Sequence, residues 1–137
     1  MKTYQLKSKD VKRAWHLLDA KDQVLGRLSS HIAALLMGKL KVDYSPNIES
    51  GDYVVVVNAE KVKVTGKKAQ QKLYRSHSGY PGGLKEVTFA KMSKEHPERI
   101  IEHAVSGMLP DNRLKKARMA MLKVIVGEKN PYEDKFK

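Results

Sequence analysis

Apolar residues recur at helical spacing in the first third of the chain. They are mostly three or four positions apart, at Leu25, Leu28, Ile32, Leu35 and Leu36. This spacing places them on one face of a helix. Gly38 follows, and glycine commonly ends helices. The pattern therefore predicts an amphipathic helix that begins near Leu25 and ends at Gly38.

A second apolar stripe follows Pro97, which suits a first helical position, with Glu98 in the first turn. The stripe consists of Ile100, Ile101, Ala104, Val105, Met108 and Leu109. Pro110 marks its end, so we expect a helix from Pro97 to Leu109 and place Met108 in the core. Residues 113–121 predict a further short, basic helix.

Short apolar runs indicate the strands. Residues 53–59 are continuously apolar up to Val57, as in a parallel strand covered on both faces. Residues 15–20 and 122–126 predict two further strands. Val62 and Val64 alternate with lysines, which predicts a strand with one wet face. Together with the helices, this order predicts one α/β domain over residues 1–137 with a largely parallel sheet. A basic arm is expected at about 1–13 and a polar tail at about 128–137.

The net charge of the chain indicates what it binds and not how it folds. The chain has 27 Lys and Arg against 15 Asp and Glu, a net charge of +12. Such an excess points to a polyanion, either nucleic acid or a membrane surface. The cations are also clustered, because residues 61–85 and 113–123 contain no acidic residue. Clustered cations neutralise successive phosphates, so we expect RNA binding from both windows.

The first window combines charge with groups suited to RNA. Its cations are Lys61, Lys63, Lys67, Lys68, Lys72, Arg75 and Lys85. Tyr74, His77 and Tyr80 are expected to stack on bases, and Ser78 to donate to phosphate. Gly82 and Gly83 would let the backbone approach RNA closely. The alternative is a solvated, flexible loop, since Gly79, Pro81 and the two later glycines oppose helix here.

The second window predicts a phosphate clamp. It contains Arg113, Lys115, Lys116, Arg118 and Lys123. On a helix, Arg113 would share a face with Lys116, and Lys115 with Arg118, so like charges would repel unless an anion neutralised them. The alternative is a solvated helix surface.

An enzyme is the main competing class, and its motifs are missing. Thr65-Gly66-Lys67-Lys68 resembles the end of a phosphate-binding loop, but Lys61 stands where the earlier glycine is required. The chain has no cysteine, and its five histidines lack zinc-site spacing. Asp19, Asp22 and Asp52 lie at strand ends or turns, where carboxylates commonly bind backbone donors. We therefore expect no catalysis, metal, cofactor or small-molecule substrate.

A membrane-surface protein is the third class. The helix after Arg27 is apolar on one face, but its polar side carries Ser29, Ser30 and His31 rather than Lys and Arg. The longest wholly apolar run is residues 32–37, which is far too short to span a bilayer, and residues 1–10 contain no apolar core. We therefore expect no membrane partner and no secretory signal, and a cytoplasmic location.

Several motifs occur together in an order that resembles the universal large-subunit ribosomal protein thirteen family of bacterial type. They are residues 26–30 (GRLSS), 51–59 (GDYVVVVNA), 65–68 (TGKK), 77–83 (HSGYPGG), 97–101 (PERII) and 107–110 (GMLP). Each motif is weak alone, but the ordered set is specific and spans about residues 15–126. The chain departs from the family pattern at Arg75, displaced by one position, at Lys115-Lys116, and in its C-terminal tail.

The resemblance implies a three-layer α/β/α fold with a small parallel sheet. It also implies a structural constituent of the large ribosomal subunit that binds large-subunit ribosomal RNA early in assembly. Its partners would be that RNA and neighbouring ribosomal proteins, in a cytoplasmic or an organellar ribosome.

Overall fold

Three parallel strands form the centre of the fold in the computed structural model, which describes residues 3–136. The order across the sheet is β1 (Trp15–Asp19), β2 (Tyr53–Val57) and β5 (Leu122–Val124). In the register, Leu17 lies opposite Val55, and Val54 opposite Leu122. The α/β class and the parallel sheet predicted from the apolar runs are confirmed.

Helices cover one face of this sheet. They are α1 (Leu25–Met37), α4 (Pro97–Met108) and α5 (Leu114–Ala120), which contact one another. Val54 and Val56 alternate towards this side and join a core that includes Leu36 and Ile101, all fully buried. Gly38 ends α1 in the left-handed conformation, with a φ of 73°. The three predicted helices are confirmed.

The other face of the sheet is covered near its edge by the C-terminal segment. Trp15 stacks on Tyr53 with ring centroids 4.4 Å apart, and Tyr132 and Phe136 lie against Trp15. Phe136 belongs to a 3₁₀ turn, Glu133–Phe136, that contacts β1. Two aromatic side chains of the predicted polar tail therefore pack on the sheet. Lys137, and Met1 and Lys2 of the predicted arm, lie outside the described residues.

An antiparallel ribbon, separate from the central sheet, follows Gly66 in the segment for which a solvated, flexible loop was the alternative. It consists of β3 (Leu73–His77) and β4 (Leu84–Thr88), with Arg75 opposite Glu86. The short helices α2 (Lys68–Gln71) and α3 (Phe89–Glu95) flank it and contact each other. We call residues 73–88 the ribbon. The alternative of an unstructured loop is wrong, since paired strands fill most of the segment.

Two further expectations are corrected. The predicted strand at Val62 and Val64 is wrong, because only a single bridge joins Lys63 to Val24 there. The chain leaves β2 at Asn58, whose φ of 57° is left-handed, and turns into a 3₁₀ turn, Ala59–Lys61, so it cannot continue as a strand. Met108 is 42% exposed at the end of α4 and does not fill the core.

The buried carboxylate of Asp52 fastens the N-terminal segment to the sheet. It accepts hydrogen bonds from the Ala14 amide (2.9 Å) and His16 (3.0 Å), and it pairs with Lys41 (2.5 Å). Burial raises the pKa of Asp52, but these three donors outweigh it and hold the pKa below its ordinary value. The expectation that this aspartate satisfies a backbone donor is confirmed.

Candidate nucleic-acid interface

The tip of the ribbon presents backbone and an aromatic ring to solvent. Tyr80 is 75% exposed. Gly79 and Gly82 adopt left-handed φ values of 84° and 70°. A side chain at Gly82 would meet no neighbouring atom, but one at Gly83 would overlap the Ser78 hydroxyl. The turn itself therefore favours glycine at both positions, at Gly82 because of its left-handed φ and at Gly83 because of the Ser78 side chain.

The histidine and the serine of the ribbon also take part in the turn. The ring nitrogen Nδ1 of His77 accepts a hydrogen bond from the Gly79 amide at 2.9 Å. The Ser78 amide donates to the Gly83 carbonyl at 3.2 Å. Both side chains are nevertheless exposed. The tip is thus a shaped surface whose conformation is set before any partner binds.

Tyr74 does not occupy the position expected of a base-stacking residue. Its ring packs edge-on against His103 of α4, with centroids 5.5 Å apart, and Lys72 lies over the ring at 5.4 Å. Its hydroxyl is buried, and among residues 3–136 it has no hydrogen-bond partner. This burial raises the pKa of the phenol. The expectation that Tyr74 stacks on a base conflicts with this packing, because the ring helps to hold the ribbon on α4.

Acidic residues outside the first window neutralise part of it. Arg75 pairs with Glu86 across the ribbon at 2.7 Å, and Lys63 pairs with Asp22 at 2.5 Å. Lys61 lies 3.9 Å from Glu60 and donates to Asn58 at 3.3 Å. Sequence windows could not show this, since the partners come from other strands or from outside the window.

The remaining cations of the first window are uncompensated. Within residues 3–136, no ion pair involves Lys67, Lys68, Lys72 or Lys85. Lys67, Lys68 and Lys85 are exposed. Lys67, Lys68 and Lys72 lie around α2, at the base of the ribbon, and Lys85 lies on β4. Unpaired positive charge is therefore concentrated at the base of the ribbon, with Lys85 further along β4, and a phosphate backbone could bind there.

The second window is divided by burial. Arg113 and Lys116 are exposed without an ion pair in the described part of the chain, while Lys115 pairs with Asp111 at 3.5 Å. Lys123 is half-buried on β5. Arg118 is only 1% exposed, and its Nε has no partner among the described residues. The expectation that Arg118 takes part in a phosphate clamp is wrong, because its side chain is buried on the side of α5 that faces the core.

One cation outside both windows belongs to the same surface. Arg27, at the start of α1, lines a cavity together with Lys68 and Lys72. Sequence reasoning missed it because Arg27 is isolated along the chain. The signal available was the unpaired arginine beside Gly26 at a helix start, without an acidic residue in the first turn.

Two structural observations concern the competing classes, an enzyme and a membrane protein. Among residues 3–136, no three His, Asp or Glu side chains are grouped so that they could hold a metal ion. In the same range, none of the helices has the length and apolarity needed to cross a membrane.

Comparison with known proteins gives a consistent result. The family described as "Ribosomal protein L13" matches residues 13–131. A protein of Petrotoga mobilis named large ribosomal subunit protein uL13 is 55% identical over 131 residues, which are 96% of this chain and 87% of that protein. Proteins of the same name from Hahella chejuensis and Microchaete diplosiphon are each 54% identical, covering 96% of this chain and 93% and 87% of theirs.

The match covers the sheet, all five α-helices and the ribbon, and the similarity to the relatives extends over nearly the whole chain. The chain therefore belongs to the ribosomal protein L13 family.

Proposed function

We propose that this protein is a structural constituent of the large ribosomal subunit. It binds large-subunit ribosomal RNA and supports subunit assembly and translation. The observation that carries the proposal is the family match over residues 13–131, together with relatives named large ribosomal subunit protein. Its location is then the ribosome, and its partners are the RNA and neighbouring ribosomal proteins.

The surface supports this proposal independently of the family. A two-stranded ribbon with few buried side chains is marginally stable alone, and here its exposed residues include cations and an aromatic tip. Such a surface is typical of proteins that bind phosphate backbones and unpaired bases.

The RNA surface proposed from the structure is narrower than the one predicted from the windows. It keeps the partly buried Lys72, which lines the same cavity as Lys68, and the exposed groups at Lys67, Lys68, His77, Ser78, Tyr80, Gly82, Lys85, Arg113 and Lys116. It omits the buried Arg118 and Tyr74. Lys61, Lys63, Arg75 and Lys115 would have to exchange a protein carboxylate for a phosphate, and Lys123 is only half-exposed, so we rank these five lower.

The test is a filter-binding titration on large-subunit ribosomal RNA at several salt concentrations. In a triple variant, Lys67→Gln, Lys85→Gln and Lys116→Gln, three unpaired cations are lost. Each lost phosphate contact should lower the slope of log affinity against log salt by roughly 0.7–0.9, so we expect a loss of about two units.

The matched control removes the same charge elsewhere, in Lys94→Gln, Arg99→Gln and Lys129→Gln. These residues are exposed and make no ion pair in the described chain. Equal slopes for the two variants would show that net charge, rather than this surface, governs binding. A flat salt response of the unaltered protein would contradict RNA binding through phosphates altogether.

A further inference from the structure

A cavity of about 370 Å³ lies between the start of α1, the segment from Val64 to Lys72, and the end of α4. Its volume is within the range of small-ligand sites. Its charged lining consists of Arg27, Lys68 and Lys72, and none of the acidic residues within residues 3–136 lines it. The cavity joins three separate parts of the chain, so no sequence window contains it.

The three cations of the cavity are not neutralised by the protein. Within residues 3–136 none of them makes an ion pair, whereas Lys63, Arg75 and Lys115 do. Like charges gathered around one cavity repel each other, and an anion bound between them would remove that repulsion. The charge distribution therefore favours an anionic ligand at this position.

The cavity also has apolar lining residues, which include Val64, Ala104 and Met108. Met108 is exposed despite its place on the apolar stripe of α4, so it lines the cavity instead of filling the core. A lining that combines cations with apolar side chains fits a ligand that has both an anionic group and an apolar, flat part.

Gly26 adds an observation about close approach. It lies within α1 and does not have a positive φ, and a side chain there would meet nothing within 4 Å. Alanine is favoured over glycine inside helices, so the fold itself has no need for glycine at this position. Its effect is to leave the backbone at the rim of the cavity open to a ligand.

We propose that this cavity holds one nucleotide of the large-subunit ribosomal RNA chain. Its phosphate lies between Arg27, Lys68 and Lys72, and its sugar and base lie against Met108 and Ala104. The inference rests on the proposed function and adds a built pocket, at the base of the ribbon, to a surface otherwise made of exposed groups. Arg27 and Gly26 become RNA-contacting residues.

The first test measures the affinity of single variants for large-subunit ribosomal RNA by filter binding, with melting curves of the same proteins. Arg27→Gln should weaken binding about tenfold and lower the salt slope by roughly 0.7–0.9. Gly26→Ala should weaken binding severalfold while its melting temperature stays equal or rises. A purely structural role of Gly26 cannot produce that opposite pair of changes.

Matched controls are available on α4. Gly107 is also a helical glycine with open space around its added side chain, and it does not line the cavity. Arg99 is an exposed arginine without an ion pair among residues 3–136. Gly107→Ala and Arg99→Gln should leave the RNA affinity unchanged.

The outcomes separate this inference from the proposed function. If the Lys67, Lys85 and Lys116 variant loses affinity while Arg27→Gln and Gly26→Ala do not, the cavity proposal is overturned and RNA binding stands. If the unaltered protein does not bind the RNA, the proposed function fails first.

Two further experiments test which ligand occupies the cavity. A photoreactive residue at position 108, placed in assembled large subunits, should form its cross-link to RNA, and a cross-link to a ribosomal protein would overturn the proposal. Adenosine monophosphate and inorganic phosphate should give no saturable thermal shift. A strong shift with either would show that the cavity binds a free ligand instead of a nucleotide within RNA.

Discussion

Strands β2 and β3 each contain five residues but have opposite surroundings. Four residues of β2 are buried, whereas none of β3 is fully buried. The β2 sequence YVVVV lies between two neighbouring strands with apolar layers over it, while the β3 sequence LYRSH pairs with one strand. The sheet is therefore stabilised by its own burial, whereas the ribbon depends on its attachment to the rest of the fold, including α4.

The largest effect on the free energy of unfolding should come from the core. Ile101→Ala removes a fully buried side chain of α4 and should destabilise the protein by about 2–5 kcal/mol. Leu84→Ala in the ribbon, where Leu84 is 57% exposed, should change stability by less than about 0.5 kcal/mol. Urea unfolding measures both. Similar losses would show that the ribbon is part of the same cooperative core.

A second contrast compares the ion pairs of the two regions. Asp52→Ala leaves the Ala14 amide without its acceptor and removes the carboxylate partner of Lys41, which still donates to the Lys12 carbonyl, so we expect a loss of about 2–3 kcal/mol at neutral pH. Glu86→Ala breaks the exposed cross-strand pair with Arg75 and should cost less than about 1 kcal/mol.

The Asp52 contribution should also depend on pH in one direction. Because the folded-state pKa of Asp52 lies below its ordinary value of 3.8, the stabilisation is complete well above that value and is lost as the pH falls through the folded pKa. The stability difference between the protein and Asp52→Ala should therefore shrink in acid. A difference that stays constant from pH 7 to pH 2 would contradict the ionised carboxylate as its source.

The sequence predicted the central sheet and its helices better than the ribbon. Apolar periodicity placed α1 and α4 correctly, because burial selects apolar residues at regular intervals. Val62 and Val64 alternate as a strand would, yet the left-handed Asn58 and the following 3₁₀ turn interrupt the pairing. Only tertiary contacts determine whether an alternating pair becomes a strand.

The candidate site was predicted in its chemistry but not in its geometry. The acid-free windows contain Lys67, Lys85 and Lys116, which are exposed in the fold, and their binding of RNA stays a prediction. They could not show that Arg118 is buried, because its side of a short helix is set by packing on α1 and α4. Nor could they show that Arg27 lies near Lys68, since that contact is made only by the folded chain.

Replacing the buried Arg118 by an apolar residue should raise the free energy of unfolding. Arg118 carries a charge into the core, and its Nε has no partner within residues 3–136. Arg118→Met keeps the volume and removes the desolvated charge, so we expect a gain of about 1–3 kcal/mol in the free energy of unfolding. The exposed Lys116→Met should be close to neutral. Destabilisation by Arg118→Met would mean that the guanidinium makes interactions that outweigh its burial.

The smallest effect on stability is expected at the tip of the ribbon, where the comparison between the two regions is sharpest. Tyr80 is exposed and makes no ring contact among the described residues, so Tyr80→Ala should change the free energy of unfolding by less than about 0.5 kcal/mol. Stacking of an aromatic ring on an unpaired base is worth roughly 1–3 kcal/mol, so the same change should lower the RNA affinity by about 5-fold to 150-fold. Tyr4→Ala, which removes another exposed tyrosine outside the ribbon, is the control and should leave the affinity unchanged. If Tyr80→Ala binds RNA as well as the unaltered protein does, the aromatic tip contributes nothing to recognition. The cations at the base of the ribbon would then have to supply the binding, with a larger share of it lost at high salt.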